Sequence, residues 1–279
     1  MTQFPVLPES AYISYLGPLS HRGANASTHI AEVRYPVQSA PVISVVKLMQ
    51  PDGLRACNEA ISWLFLRAAG ISAPKHAAIL VLSQAKAIQV LGRNGVPAEW
   101  VSNGHVLAWA SQKLDFGSIQ ALFAGAEADA KWLEVLRSAK GAAIAAFDEM
   151  FFNIDRNTGN VLFTRGGACV PIDHEMVFGH QNWLREDLQH SSAPGDSMRV
   201  LIRARDGRKL PHSEFESVCS HMVLLAHQHE RALTACQDEI RGLLAHVFPK
   251  QAPELANRIL SFVGERAAQQ WLQDRLGVI

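Results

Sequence analysis

The chain has 279 residues, 48 % of them hydrophobic and 19 % charged, enough for one large core or two smaller lobes. Its 26 basic and 26 acidic residues cancel to a formal net charge of zero, which removes the electrostatic footprint of a nucleic-acid or anionic-membrane binder. The opening MTQFPVLPES lacks the basic and apolar regions of a signal peptide, and no apolar run reaches the roughly 18 residues of a membrane helix.

Residues 1–40 are mixed and punctuated by Pro, Gly and Ser. Within them His21-Arg22-Gly23-Ala24-Asn25-Ala26-Ser27-Thr28 is small and polar and precedes a predicted strand, His29 to Tyr35. Backbone N–H groups of small residues can cradle phosphate. The segment has neither glycine fingerprint of a nucleotide loop, and a plain turn suits the same residues. The β-branched run from Pro41 to Met49 predicts a strand. Its alternation sets Lys47 in a row with Ile43, Val45 and Met49, where the ammonium needs either a partner or a route to solvent at a sheet edge. A helix is expected from about Leu54 to Ala69, with Ile61, Leu64, Phe65 and Ala68 on one face and Glu59, Trp63 and Leu66 on another. Glu59 is then either a partner for Lys47 or an exposed acid near the helix start.

Gly70 to Pro74 ends that helix. Strands are predicted at His76 to Ser83 and His105 to Ser111, with a polar loop over 91–104. Asp115-Phe116-Gly117 reads as a turn at the start of a helix. From Ala126 to Phe152 the pattern is helical, with Gly141 the expected break. Glu175 to Gly195 is irregular and polar, 201–210 is basic and reads as a loop or short element, and helices are expected over Ser213–Gln228, Glu230–Phe248 and Pro253–Gln273. His221, His227 and His229 do not form an i, i+4 pair and read as a wet helical face. Cys57, Cys169, Cys219 and Cys236 form no C-x-x-C pair, so neither structural zinc nor a disulfide framework is expected, and the compartment reads as a reducing cytoplasm.

The chemistry concentrates between Phe147 and Phe178. A polar loop, Asp155-Arg156-Asn157-Thr158-Gly159-Asn160, leads into two short apolar runs joined by Arg165-Gly166-Gly167. With Gly166-Gly167 as a two-residue turn, Val161 faces Ile172 and Asn160 faces Asp173, on opposed positions whose Cβ atoms lie roughly 4.5–5.5 Å apart. An Asn and an Asp beside Asp155 make a hard, oxygen-rich site of the kind Mg²⁺ takes. Asp, Asn, Thr and Gly are also what an ordinary helix-to-strand turn prefers.

The order of these pieces, V-V-K on a strand, N-E-A on a helix, G-I-S-A-P, then F-D-E-M-F-F-N-I-D-R-N-T-G-N-V-L-F and I-D-H, resembles the HipA-like kinases, a bacterial branch of the protein-kinase and phosphoinositide-kinase superfold. The resemblance spans roughly 19–179; beyond it only helical character matches. It implies an α+β, bilobal protein-kinase-like fold, with a small sheet-rich N-lobe (1–111) and a larger, mainly helical C-lobe (112–279). It implies ATP and Mg²⁺ as cofactors. Lys47 would contact the nucleotide phosphates and Glu59 would hold it. Asp155 would align or deprotonate the acceptor, and Asn160 and Asp173 would bind the metal. Leu162 would lie under the adenine, main-chain groups near Ala108 and Ala110 would meet its edge, and Arg22, Gly23, Ala24, Asn25 and Ser27 would cover the phosphates. The implied reaction is transfer of the ATP γ-phosphate to a protein Ser/Thr hydroxyl, with a partner or antitoxin protein in the family's pattern. The alternatives are a small-molecule or lipid kinase, AMP transfer on the same fold, a pseudokinase that only binds nucleotide, and a plain α+β scaffold.

Overall fold

The computed structural model describes residues 4–19, 27–36, 38–163 and 167–277. The chain is of the α+β, bilobal kinase-like class, with a sheet-rich N-terminal portion and a mainly helical C-terminal one. Backbone contacts divide it into two compact units. The first comprises Met1–Trp63, Pro74–Asp115 and Glu239–Ala252, and the second Leu64–Ala73, Phe116–Asp238 and Pro253–Ile279. The first unit therefore takes in a C-terminal segment that the boundary expected at 111/112 assigns to the other lobe.

The first unit holds a six-stranded sheet. In chain order its strands are β1 (Val6–Pro8), β2 (Tyr12–Pro18), β3 (His29–Val33), β4 (Val42–Met49), β5 (Ala77–Ser83) and β6 (His105–Gln112). The order across the sheet is β1-β5-β6-β4-β3-β2, antiparallel except for the β1–β5 pair. Val33, Val46, Leu48, Leu80, Val106 and Ala110 build its core. On β4 the buried positions are Ser44, Val46, Leu48 and Met49, while Ile43 is half-exposed and Lys47 half-buried. The expected alternation holds as far as Leu48, and over that stretch the face carrying Lys47 is the less covered one. Helix α1 (Leu54–Ala68) is buried on nearly every side, as its apolar positions suggest. Helix α2 (Gln84–Leu91) follows β5 directly, its N-terminus capped by the Ser83 hydroxyl, which accepts the Lys86 N–H.

The second unit begins its regular structure with strand β7 (Gly117–Ser118) and helix α3 (Ile119–Leu122). Helices α4 (Ala126–Leu136) and α5 (Ala139–Met150) follow, broken at 137–138 rather than at Gly141. The break is made by Ser138, whose hydroxyl accepts the Gly141 N–H as the N-cap of α5. Gly141 serves instead as the contact point, since a Cβ there would stand 2.0 Å from the Val135 carbonyl oxygen. Strands β8 (Val161–Phe163) and β9 (Cys169–Pro171) form the hairpin, and β7 pairs with β8. Helices α6 (Asp196–Asp206), α7 (His212–Ala226), α8 (His229–Val247), α9 (Ala252–Ala267) and α10 (Gln269–Leu276) follow, the C-terminal half of α8 from Glu239 onward belonging to the first unit. Trp132, Leu136, Ile144, Leu201, Met222 and Leu272 lie in the core they share with the hairpin. His229 is not on a wet face. It is buried with its ring edge-on to Phe65, and burial pushes its imidazole down to about 4. No helix among the described residues is long and apolar enough to cross a membrane. All four cysteines are free and buried.

Candidate active site

Helix α5 delivers the polar loop. Its last turns are apolar and buried except for Asp148 and Glu149, which are buried too. The helix ends in a Schellman motif, with Phe152 N–H on Glu149 O at 3.2 Å and Asn153 N–H on Asp148 O at 2.8 Å. Phe152 takes the left-handed position, φ 48°, where glycine is usual. That conformation costs a bulky residue about 1–2 kcal/mol, offset here by burial of its ring. The motif stops the helix abruptly and turns the chain into Asn153. The Asn153 side-chain oxygen then accepts the Asp155 N–H at 3.1 Å, an Asx turn that places Asp155.

Asp155 and Asn160 converge. Asn160 Nδ2 donates to the Asp155 carbonyl at 2.8 Å and stands 3.4 Å from its carboxylate. A carbonyl only accepts, so it is the amide nitrogen of Asn160, not its oxygen, that faces the Asp155 carbonyl. Asn157 Nδ2 also reaches the Asp155 carboxylate, at 3.3 Å, and Asn157 Oδ1 accepts the Gly159 N–H at 2.8 Å. The loop is stitched to itself and leaves Asp155 only partly buried.

The hairpin register differs from the expected one. Val161 pairs with Pro171, Leu162 with Val170 and Phe163 with Cys169. The Ile172 N–H bonds the Asn160 carbonyl at 3.0 Å, so Asn160 stands opposite Ile172 rather than Asp173. This register leaves an odd number of residues between Phe163 and Cys169, which a two-residue turn cannot close. Gly167 stands in the left-handed region, at φ +75°. Asp173 therefore lies one residue past the register and is itself left-handed, at φ 59°. Its carboxylate and that of Glu175 each offer an oxygen within 4.8 Å of the other. An amide oxygen and carboxylates are the hard donors Mg²⁺ prefers, so the donor set at this end of the hairpin fits that ion.

Among the other expected residues, Lys47 lies on β4 opposite Trp109, and Glu59 lies on α1 with 3 % of its surface exposed, which rules out the exposed-acid alternative. Leu162 is partly buried on β8. Arg22, Gly23, Ala24 and Asn25 fall outside the described residues. Ser27 is buried, its hydroxyl accepting the Leu48 N–H at 3.1 Å and its carbonyl bonding His29 Nδ1 at 2.8 Å. Its hydroxyl is thus one of the groups that tie this segment to the sheet. Ala108 and Ala110 lie on β6, which is flanked by β4 and β5 along 107–111, so the main-chain groups there take part in two ladders. Beyond that stretch, the Gln112 and Lys113 N–H groups bond His76 O and Ile43 O.

Sequence reasoning gave no role to the network behind the loop. Asp148, fully buried, accepts from Arg156 through Nε (3.2 Å) and Nη2 (3.1 Å), from Asn153 Nδ2 (3.0 Å) and from the Ser197 hydroxyl. The available signal was an acid set in the apolar run A-A-I-A-A-F-D-E-M-F-F, where a charge survives only with partners. Asp196, at the start of α6, lies in the same field. Burial raises its carboxyl above the usual range; Arg199, 2.8 Å away, opposes that, and Asp148 and Asp155 add to it.

A family model described as phosphatidylinositol 3- and 4-kinase matches residues 109–242. The matched segment contains the polar loop, the hairpin and the start of the C-terminal helices. It supports the protein-kinase-like superfold and indicates a kinase, a phosphotransferase with a hydroxyl acceptor. No curated protein matches the chain.

Proposed function

We propose that the chain is an ATP- and Mg²⁺-dependent phosphotransferase of the HipA-like type, acting on a Ser/Thr hydroxyl of a protein. The observation that carries this reading is the convergence of Asp155 and Asn160, with Asp173 just past the open end of the same hairpin. Asp155 aligns the acceptor hydroxyl and takes its proton as the acceptor oxygen bonds the γ-phosphorus and the bond from that phosphorus to the β,γ-bridging oxygen breaks, ADP leaving. Asn160 and Asp173 hold Mg²⁺, which supplies neutralising charge to the triphosphate. Lys47, held by Glu59, adds positive charge at the phosphates, and Leu162 lies under the adenine. The transition state of phosphoryl transfer is loose, so positioning and charge neutralisation supply most of the catalysis.

A second reading, an inositol-lipid hydroxyl as acceptor, is favoured by the printed description of the matching family model. The zero net charge gives no attraction to an anionic bilayer. The test is incubation with γ-labelled ATP and Mg²⁺, in parallel with lysate proteins and with vesicles of phosphatidylcholine and phosphatidylinositol. Label on phosphoserine or phosphothreonine in the protein arm is the expected result. Label in the lipid fraction alone would replace it with the second reading.

A further inference from the structure

Arg156 follows Asp155 directly, yet its side chain is fully buried. Burying a guanidinium with a carboxylate is a weak route to stability, because desolvation offsets most of the attraction. The hydrogen bonds point to another use. Nε and Nη2 grip Asp148, while Nη1 donates to the Asn160 carbonyl at 2.9 Å and to the Ile172 carbonyl at 2.7 Å. Those carbonyls sit across from each other at the open end of the hairpin, just past its last ladder pair. One belongs to Asn160. The other is in the peptide unit that leads into Asp173, whose left-handed φ depends on how that peptide is held.

The strands of this hairpin are only three residues each. The guanidinium acts as an added rung anchored from outside. Its planar fork carries the position of Asp148 on α5 to both carbonyls at once, which the point charge of a lysine cannot reproduce. Asp148 is anchored in turn by Asn153 and by Ser197 on α6.

We infer that Arg156 is a positioning residue that sets the spacing of Asn160 and Asp173 and so fixes the cation affinity of the pair. The inference rests on the metal-binding role proposed for those two residues. The test is titration of Mn²⁺, an oxygen-seeking stand-in for Mg²⁺, followed by electron paramagnetic resonance with a non-hydrolysable ATP analogue present. Melting temperatures are recorded alongside. Arg156→Lys is expected to raise the Mn²⁺ half-saturation about 10–100-fold, the usual cost of losing a group that orients metal ligands. Arg266→Lys is the matched control. It replaces another buried arginine, which bonds the Met150 and Glu149 carbonyls, and should lower the melting temperature while leaving the half-saturation unchanged. If Arg156→Lys melts lower but binds Mn²⁺ as wild type does, Arg156 is structural only and the inference is overturned. If Arg156→Lys does not fold, Ser197→Ala, which loosens only Asp148, should give a smaller rise, and no rise overturns the inference. Wild-type protein that binds no Mn²⁺ under these conditions overturns the metal role of Asn160 and Asp173 itself.

Discussion

Two acids stand side by side on α5, both buried and both served by arginines, and they do different work. Asp148 takes its hydrogen bonds from the polar loop and from α6: Arg156, Asn153 and Ser197. Glu149 takes its own from the backbone of Gly195 at 2.6 Å and from Arg275 on α10 at 3.2 Å. Arg275 also bonds the Ser192 and Ala193 carbonyls, and Arg266 caps the end of α5 while stacking on Trp271, 4.2 Å from its ring centroid. One acid thus organises the candidate site, and the other fastens the C-terminal helix and the preceding turn to α5. A helix rotates about 100° per residue, so neighbouring acids are served from two directions, and sequence adjacency says little about shared function.

The largest effect is expected from Asp148→Ala. It leaves the Arg156 guanidinium buried without its partner and should cost about 3–5 kcal/mol of stability, read by chemical denaturation, with phosphoryl transfer lost in whatever fraction folds. Arg275→Ala should cost less, about 1.5–3 kcal/mol for lost charge-assisted hydrogen bonds. Its transfer rate per folded molecule should stay at the wild-type level; a loss of rate comparable to that of Asp148→Ala would erase the distinction between the two acids. The smallest effect is a pH dependence. Burial raises the Glu149 carboxyl above its usual 4.5, against the pull of Arg275 and the Gly195 N–H. A raised acid binds its proton more tightly in the folded state, so its stabilising contribution is full below 4.5 and fades as pH rises through the folded value. Glu149→Gln should therefore gain on wild type as pH climbs from 4.5, measured as the difference in melting temperature across a pH series. A difference that shrinks or reverses with rising pH would contradict the burial account.

How far the sequence reveals this molecule depends on the range of the interaction. Strands β4, β5 and β6 are legible because β-branched alternation and short apolar runs are local signals, and the α+β class follows from the order of elements. The hairpin exists where expected, but its register is off by one, because Arg165-Gly166-Gly167 suits either a two-residue turn or a longer bulged loop. Gly141 reads as a helix breaker, yet it is needed for contact with Val135, a fact set by tertiary packing. The nearness of Asp155 and Asn160 was legible as spacing. The Arg156–Asp148 grip was not, since it joins a loop to the preceding helix through a side chain that local pattern would place in solvent. The interior place of β6 was not legible for a similar reason: only the sheet order shows it.

The central claim is that Asp155, Asn160 and Asp173 form a phosphoryl-transfer site. The most direct measurement is the rate of label transfer from γ-labelled ATP by wild type, Asp155→Asn and Asp173→Ala, each shown to be folded by its melting temperature. The account predicts transfer by wild type, a loss of about 10²–10⁴-fold in Asp155→Asn, and no transfer in Asp173→Ala. Folded variants that transfer label at the wild-type rate would contradict it.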